Sequence, residues 1–162
     1  MDYSKPDIKA VKSWRIGQAI GFAITFAIAA GIFTAAYITG WDGPVRIIVE
    51  ITAIGLSIYA LIGMVLFPKL EYMQWGYKVE EDRVVIRHGI FFIKESVIPV
   101  IRIQNITVSQ GPINRRFGLF NVEIALASGT FEIEGLTRET ADTISENLKA
   151  RLYTRIAEKG VL

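Results

Sequence analysis

Few residues in this chain have the chemistry that catalysis or metal binding requires. The 162 residues include no cysteine and a single histidine, His88, which excludes disulfides, thiolate metal sites and cysteine nucleophiles. Glu132 and Glu134 form the clearest carboxylate pair, but their spacing is also that of an outward-facing strand surface. No glycine motif that binds nucleotide phosphates is present. We therefore expect no enzyme, no metal site and no cofactor.

Basic side chains are the second group that can bind a ligand. The net charge of +2 argues against nucleic acid, which requires a pronounced basic surface. At an anionic leaflet, however, each Lys or Arg adds roughly 1 kcal/mol of attraction. The candidate contacts to lipid or to a partner protein are Lys69, Lys78, Arg102, Gln104, Gln110, Gly111, Pro112, Arg115 and Arg116. The alternatives are a solvated charged surface and, for Gln110–Pro112, a structural corner of the fold.

Two apolar stretches must place these residues at a membrane. Residues 16–41 contain no charge and exceed the roughly 20 residues that a spanning helix needs. Residues 51–67 form the second charge-free stretch, and a tight turn containing Trp41, a residue suited to the headgroup level, connects the two. We predict a transmembrane hairpin over 16–68, with spans at about 16–38 and 47–67.

The charges beside the spans predict the orientation. Residues 1–15, interpreted as an interfacial segment, carry four basic residues, whereas the connecting turn has only Arg46. The positive-inside rule therefore predicts a multi-pass protein of the cytoplasmic membrane with both termini in the cytoplasm. Glu50, four residues after Arg46, is interpreted as an interfacial carboxylate, with an intramembrane ion site as the alternative.

Small residues recur along the spans, with Gly17 and Gly21 at GxxxG spacing. We interpret them as positions that let the two hairpin helices touch, and a helix-dimerisation face is the alternative.

Residues 69–162 have the composition of a water-soluble domain with short strands separated by turns. The predicted strands are Tyr72–Val79, Val84–Arg87, Ile90–Ile98, Ile101–Ser109, Val122–Leu126 and Phe131–Ile133. Within the fourth, Ile101 and Ile103 have the opposite parity to Ile106 and Val108, which predicts a bulge or bend at Asn105. The break brings the total to about seven strands.

A C-terminal helix completes the predicted domain. Thr137 is its expected N-cap and Glu139 lies in its first turn. Its apolar stripe comprises Ala141, Ile144, Leu148, Leu152 and Ile156. The fold class is therefore an α+β membrane protein, with a transmembrane hairpin followed by an antiparallel barrel or sandwich that this helix caps.

Residues 98–118, IPVIRIQNITVSQGPINRRFG, resemble the signature of the YdbS-like family of bacterial, membrane-flanked PH-like domains. The matching elements are the Ile-Pro pair, Arg-Ile-Gln at 102–104, Gln-Gly-Pro at 110–112 and Arg-Phe-Gly-Leu at 116–119. Where the family often has His-Val after the glutamine, this chain has Asn105 and Ile106.

The resemblance implies a cytosolic PH-like domain after two spans, and no catalytic residues. It also implies a partner, either a related membrane protein with several such domains or a second copy of the chain, and a link to antimicrobial-peptide resistance. We therefore predict a non-catalytic adaptor or assembly subunit that presents its domain for protein contact at the membrane. The alternative is a module that binds anionic lipid headgroups.

Overall fold

Two long helices open the chain in the computed structural model, which describes residues 3–40 and 43–158. The first, α1, spans Lys9–Ile38 and the second, α2, spans Pro44–Gln74. By length and composition, Lys9–Ile38 and Arg46–Met64 could each cross a membrane. Most of their Ile and Phe side chains are exposed, as expected for surfaces that contact lipid.

Two long apolar helices are therefore present where the transmembrane pair is predicted. Arg46 Nε lies 2.9 Å from Glu50 Oε1, in agreement with the expected pairing near the start of α2. Trp41, predicted to lie at the headgroup level, is outside the described residues.

The chain divides into two compact units. Trp14–Lys69 forms the helical unit, and Met1–Ser13 together with Leu70–Leu162 forms the second, here called the PH-like unit. The chain thus leaves the PH-like unit after Ser13 and returns to it at Leu70.

Two antiparallel three-stranded sheets form most of the PH-like unit. The first has the order β1-β2-β3 and the second β4-β5-β6. The strands are Gly76–Val79 (β1), Arg83–His88 (β2), Lys94–Pro99 (β3), Asn105–Ser109 (β4), Leu119–Leu126 (β5) and Gly129–Thr137 (β6). A short helix, α3 (Pro112–Phe117), joins β4 to β5, and α4 (Arg138–Glu158) follows β6. The described residues thus contain six strands rather than about seven, and the two sheets do not form a closed barrel.

The core lies where α4 packs on the second sheet, with contacts to β4, β5 and β6. Its fully buried large side chains include Val84, Ile98, Val100, Leu119, Val122, Ile124, Ile133, Leu136 and Leu148. The predicted stripe of α4 is confirmed at Ala141, Ile144 and Leu148, while the side chain of Ile156 is outside the described part. The Thr140 amide donates to Thr137 Oγ1 at 3.3 Å, which confirms the predicted N-cap.

Two strand predictions are wrong at their beginnings. Residues 72–74, predicted as strand, continue α2, and β1 starts only at Gly76. Residues 90–93, predicted as the start of a strand, form a turn, and β3 starts at Lys94. The turn begins at Gly89, whose φ of 130° departs from extended geometry.

The break predicted at Asn105 lies earlier in the chain and is larger than a bulge, since Asn105 is itself the first residue of β4. Val100–Arg102 forms a 3-10 turn that carries the chain from the first sheet to the second. As a result Val100 and Ile103 are buried, whereas Ile101 is exposed. The parity change therefore reflects a change of sheet.

The N-terminal segment before α1 is hydrogen-bonded into the PH-like unit. Ser4 and Tyr77 exchange both backbone hydrogen bonds at 2.9 Å, and the Asp7 amide donates to the Gly135 carbonyl at 2.8 Å. A short antiparallel bridge thus covers the outer edge of β1, which would otherwise expose unpaired backbone groups.

Side chains extend this contact into the first turn of α1. Ala10 is fully buried, and a Cβ added to Gly135 would lie 2.6 Å from the Ala10 Cβ. Gly135 also has a φ of 68°. The absence of a side chain at this position thus permits both the backbone conformation and the approach of α1.

The glycines of α1 do not serve contact between the hairpin helices, which corrects the preferred interpretation from sequence. A Cβ added at Gly17, Gly21 or Gly31 would meet no atom within 4 Å. The helices instead flank a groove of about 620 Å³, to which α1 contributes Phe26, Ala29, Ala30, Phe33 and Thr34. At about 100° per residue, these five residues are centred on the side of α1 opposite to the three glycines.

We expect Gly135→Ala to lower the free energy of unfolding by about 2 kcal/mol or more, because alanine is disfavoured at positive φ and its methyl group would collide with Ala10. Thermal unfolding of the full-length protein in mild detergent would measure the effect. Gly111→Ala is the matched control, since Gly111 has a φ of −71° and open space around its Cβ position. Equal melting temperatures for the two variants would contradict the close approach of α1 to Gly135.

Candidate functional site

Five of the nine residues proposed as contacts come together around α3. Gly111 precedes the helix, Pro112 occupies its first turn, and Arg115 and Arg116 lie in its last turn. The Gln110 side-chain amide donates to the Leu119 carbonyl at 2.9 Å, which ties together the two ends of the connection. The loop is therefore a fixed structural corner, as expected, and it holds two exposed guanidinium groups next to each other in sequence.

A series of hydrogen-bonded polar side chains connects α3 to the N-terminal segment and to the second sheet. Ser13 Oγ donates to Asn114 Oδ1 at 2.5 Å, and Asn114 Nδ2 donates to Asn121 Oδ1 at 3.1 Å. Asn121 Nδ2 then donates to Glu132 Oε1 at 2.7 Å. The four residues, here called the polar chain, connect the start of α1 with α3, β5 and β6.

Asn121, the central member of the polar chain, lies at an irregularity in the pairing of the second sheet. The pairing of β5 with β6 shifts register between Phe120 and Val122, and Asn121 Oδ1 also accepts a hydrogen bond from the Gly135 amide at 3.0 Å. The side-chain oxygen thus substitutes for a backbone acceptor at the bulge. Sequence patterns gave no sign of this role, because its partners are distant along the chain.

The remaining candidate residues lie on separate elements. Lys78 of β1 lies 2.6 Å from Glu80 Oε1, and Glu80 also accepts a hydrogen bond from Arg83. These hydrogen bonds, first from Lys78 and then from Arg83, hold the pKa of Glu80 below its ordinary value. Lys78 is therefore engaged in a local ion cluster at the β1–β2 turn.

Arg102, Gln104 and Lys69 complete the set. Arg102 is exposed at the end of the 3-10 turn, and the Gln104 amide donates to the Ala125 carbonyl at 2.9 Å, beside the first pair of β4 and β5. Lys69 belongs to α2 and to the helical unit. Among the residues that the structure describes, α3 and its flanking loop form the one segment in which several candidates come together.

A polar cavity of about 240 Å³ in the PH-like unit lies outside the predicted set. Residues from the end of α2 and from β2, β3 and β6 line it: Glu71, Trp75, Ile86, His88, Lys94, Ser96, Thr130, Phe131, Glu132 and Glu134. The two glutamates of β6 do share a face, as expected. They are, however, half-buried on this cavity, so the interpretation of an outward solvated surface is wrong.

The carboxyl group of Glu71 is partly removed from solvent in this cavity. Burial raises the pKa of Glu71, and the nearby His88 opposes that shift. The polar chain ends here as well, since Glu132 accepts its last hydrogen bond. The cavity thus combines three carboxyl groups with one imidazole and one ammonium group, a composition suited to holding a small polar or cationic group.

The described residues supply no arrangement for chemistry at this cavity. The cavity contains no cysteine, and Ser96 is the one serine among its lining residues. Among residues 3–40 and 43–158, no group of three or more His, Asp or Glu side chains is suited to hold a metal ion.

Comparison with known proteins identifies relatives of the whole arrangement. The family model described as "Bacterial PH domain" matches residues 15–152. The chain is 28% identical over 138 residues to the UPF0699 transmembrane protein YdbS of Bacillus subtilis (strain 168), covering 85% of each protein. It is 26% identical over 107 residues to the UPF0699 transmembrane protein YdbT of the same organism, covering 66% of this chain and 22% of that protein. No solved structure shows significant similarity.

We expect Glu71→Gln to raise the melting temperature of the full-length protein at pH 8. A raised pKa in the folded state means that the stability contributed by protonated Glu71 is present at low pH and is lost as the pH rises through the folded-state pKa. The advantage of the variant should therefore shrink as the pH falls below the ordinary range of a glutamate.

Glu81→Gln is the control, because Glu81 is an exposed residue of the β1–β2 turn and its replacement should have little effect at either pH. A variant at Glu71 that is less stable than the wild type at pH 8, with the difference disappearing at low pH, would contradict the raised pKa and show instead that the folded state favours the charged carboxylate.

Proposed function

The chain belongs to the bacterial PH domain family, and we propose that it is a non-catalytic assembly subunit that presents its PH-like unit for protein contact at the cytoplasmic membrane. Two relatives are transmembrane proteins by name, and this chain has two helices suited to a membrane. Neither the α3 corner nor the polar cavity assembles a nucleophile with a base. Binding is therefore the role that these surfaces can perform.

The observation that carries the assembly role is an unused seam on α1. Its positions alternate at spacings of four and three residues and comprise Gly17, Gly21, Ile24, Ile28, Gly31 and Ala35. At about 100° per residue they lie within about 80° of one another, on the side of α1 away from the groove with α2. All six are exposed in the single chain.

Small residues at this spacing are typical of contacts between membrane helices. Lipid tails are as apolar as Ile, so such helices associate through close packing at glycine and alanine. A seam that the hairpin itself leaves open is therefore suited to a helix of another chain. Its 4-3 spacing favours a left-handed crossing with that partner.

Two kinds of partner fit the seam. A second copy of this chain offers the same surface and would form a symmetric pair. A longer relative is the other, since the match to YdbT covers only 22% of that protein and the remainder leaves room for further domains. Resistance to antimicrobial peptides, which the family resemblance implies, would be the physiological outcome of such an assembly.

Both termini are placed in the cytoplasm by this proposal. The bridge between Ser4 and Tyr77 joins residues before α1 to the domain that follows α2, which supports their presence on one side of the membrane. Basic residues cluster before the first span, and the positive-inside rule assigns that side to the cytoplasm.

Contact with anionic lipid headgroups is the second candidate. The exposure of Arg115 and Arg116 in the last turn of α3 favours it, because α3 is held in place by Gln110 and the polar chain. Lys78 is less suited, since its ammonium group is already paired with Glu80.

Mild-detergent purification of the tagged protein from its native membrane, followed by mass analysis of the intact assembly, tests the proposal. We expect a defined complex above the 18.1 kDa of one chain. The double variant Gly17→Leu and Gly21→Leu should lower the association constant by about tenfold, equivalent to about 1.4 kcal/mol, because both side chains prevent close packing.

Ala23→Leu is the matched control, since Ala23 is exposed on the same helix but lies outside the seam. It should leave the complex intact. Wild-type protein that purifies as a single chain with lipid alone would overturn the assembly role and favour headgroup contact through Arg115 and Arg116.

A further inference from the structure

The connection between β2 and β3 ends in an apolar tip formed by Phe91, Phe92 and Ile93. Their exposed fractions are 79%, 92% and 49%, and no other large apolar residue in the described part of the chain exceeds Phe92. A soluble domain ordinarily buries aromatic side chains of this size. Three exposed apolar residues in a row therefore indicate a surface that contacts a membrane or another protein.

The tip is a defined turn. Gly89 has a φ of 130°, and a Cβ at that position would lie 2.0 Å from the Phe92 carbonyl oxygen. The turn thus closes tightly on a residue that must be glycine. The Gln74 side-chain amide also donates to the Ile90 carbonyl at 3.0 Å, which fixes the start of the tip to the last residue of α2.

We propose that Phe91, Phe92 and Ile93 insert into the interfacial region of the lipid bilayer in which the chain's own helices are anchored. Lys94 directly follows the tip and is exposed. Aromatic rings with an adjacent basic residue have the composition of interfacial anchors, in which the rings enter the acyl boundary and the ammonium group meets headgroup phosphates.

The chain's connectivity supports a bilayer as the occupant. Gln74, which holds Ile90, lies ten positions after Met64, the end of the second apolar span. A segment of this length extends at most about 35 Å, so the chain keeps the start of the tip tethered within about that distance of the end of the apolar span.

The size of the tip favours lipid over a protein partner. A stable protein interface buries about 800 Å² on each side and involves about twenty or more residues. Three adjacent side chains on one turn provide only a fraction of such an area. Insertion into a bilayer has no such requirement, since each side chain is surrounded by acyl chains independently.

The absence of cysteine permits a direct test with single-cysteine probes. Full-length Phe92→Cys would be labelled with an environment-sensitive fluorophore and reconstituted into phosphatidylcholine–phosphatidylglycerol vesicles, with and without spin-labelled lipid. Glu81→Cys is the matched control, because its turn lies at the opposite end of β2, about 20 Å away along the strand.

We expect spin-labelled lipid to quench the Phe92 probe about twofold or more and to leave the Glu81 probe nearly unchanged. A second variant, Phe91→Cys, should reproduce the quenching. Equal melting temperatures of the variants and the wild type in detergent would verify that the exposed replacements leave the fold intact.

Absence of lipid quenching at both tip positions would overturn the proposal. A tip probe that is shielded from aqueous iodide but not quenched by lipid would also overturn it, because a protein surface would then cover the tip. Neither result depends on the assembly role of α1, since the vesicles contain this chain alone.

Discussion

The backbone hydrogen bonds between Ser4 and Tyr77, and between Asp7 and Gly135, constrain how the chain can cross a membrane. They place the residues before α1 and the domain after α2 in one unit. The proposed membrane topology therefore requires an even number of crossings, which the two apolar helices would provide. The same contact covers the edge of β1 and orders the start of α1, where Ser13 begins the polar chain.

The polar chain holds in place two candidate binding surfaces of the PH-like unit, namely the α3 corner and the polar cavity. Asn114 and Asn121 accept and donate within the chain, so α3 is fixed from its inner side while Arg115 and Arg116 remain exposed. Glu132 connects the chain to the cavity, where burial raises the pKa of Glu71. Buried polar groups of this kind stabilise a fold only when each has a partner, which ties the position of α3 to that of the N-terminal segment.

Local patterns were sufficient to predict much of this architecture. The charge-free stretches, the N-cap at Thr137 and the buried stripe of α4 each depend on neighbours within a few residues. Residues 72–74 were assigned to a strand because aromatic residues suit both helix and strand, and the preceding helix continues through them. The docking of Ser4 on Tyr77 and the lining of the cavity join residues that are distant in sequence, so no periodicity reveals them. The spacing of the glycines in α1 is likewise visible in the sequence, but the sequence does not indicate which side of α1 lines the groove with α2.

Hydrogen exchange of the full-length protein in lipid nanodiscs tests this constraint most directly. The amides of Ser4 and Asp7 donate to backbone carbonyls of the PH-like unit, so the peptide covering them should exchange as slowly as β1. Exchange of that peptide at the rate of an unstructured chain, with β1 still protected, would contradict the docking. The topology and the anchoring of α3 would then both need another explanation.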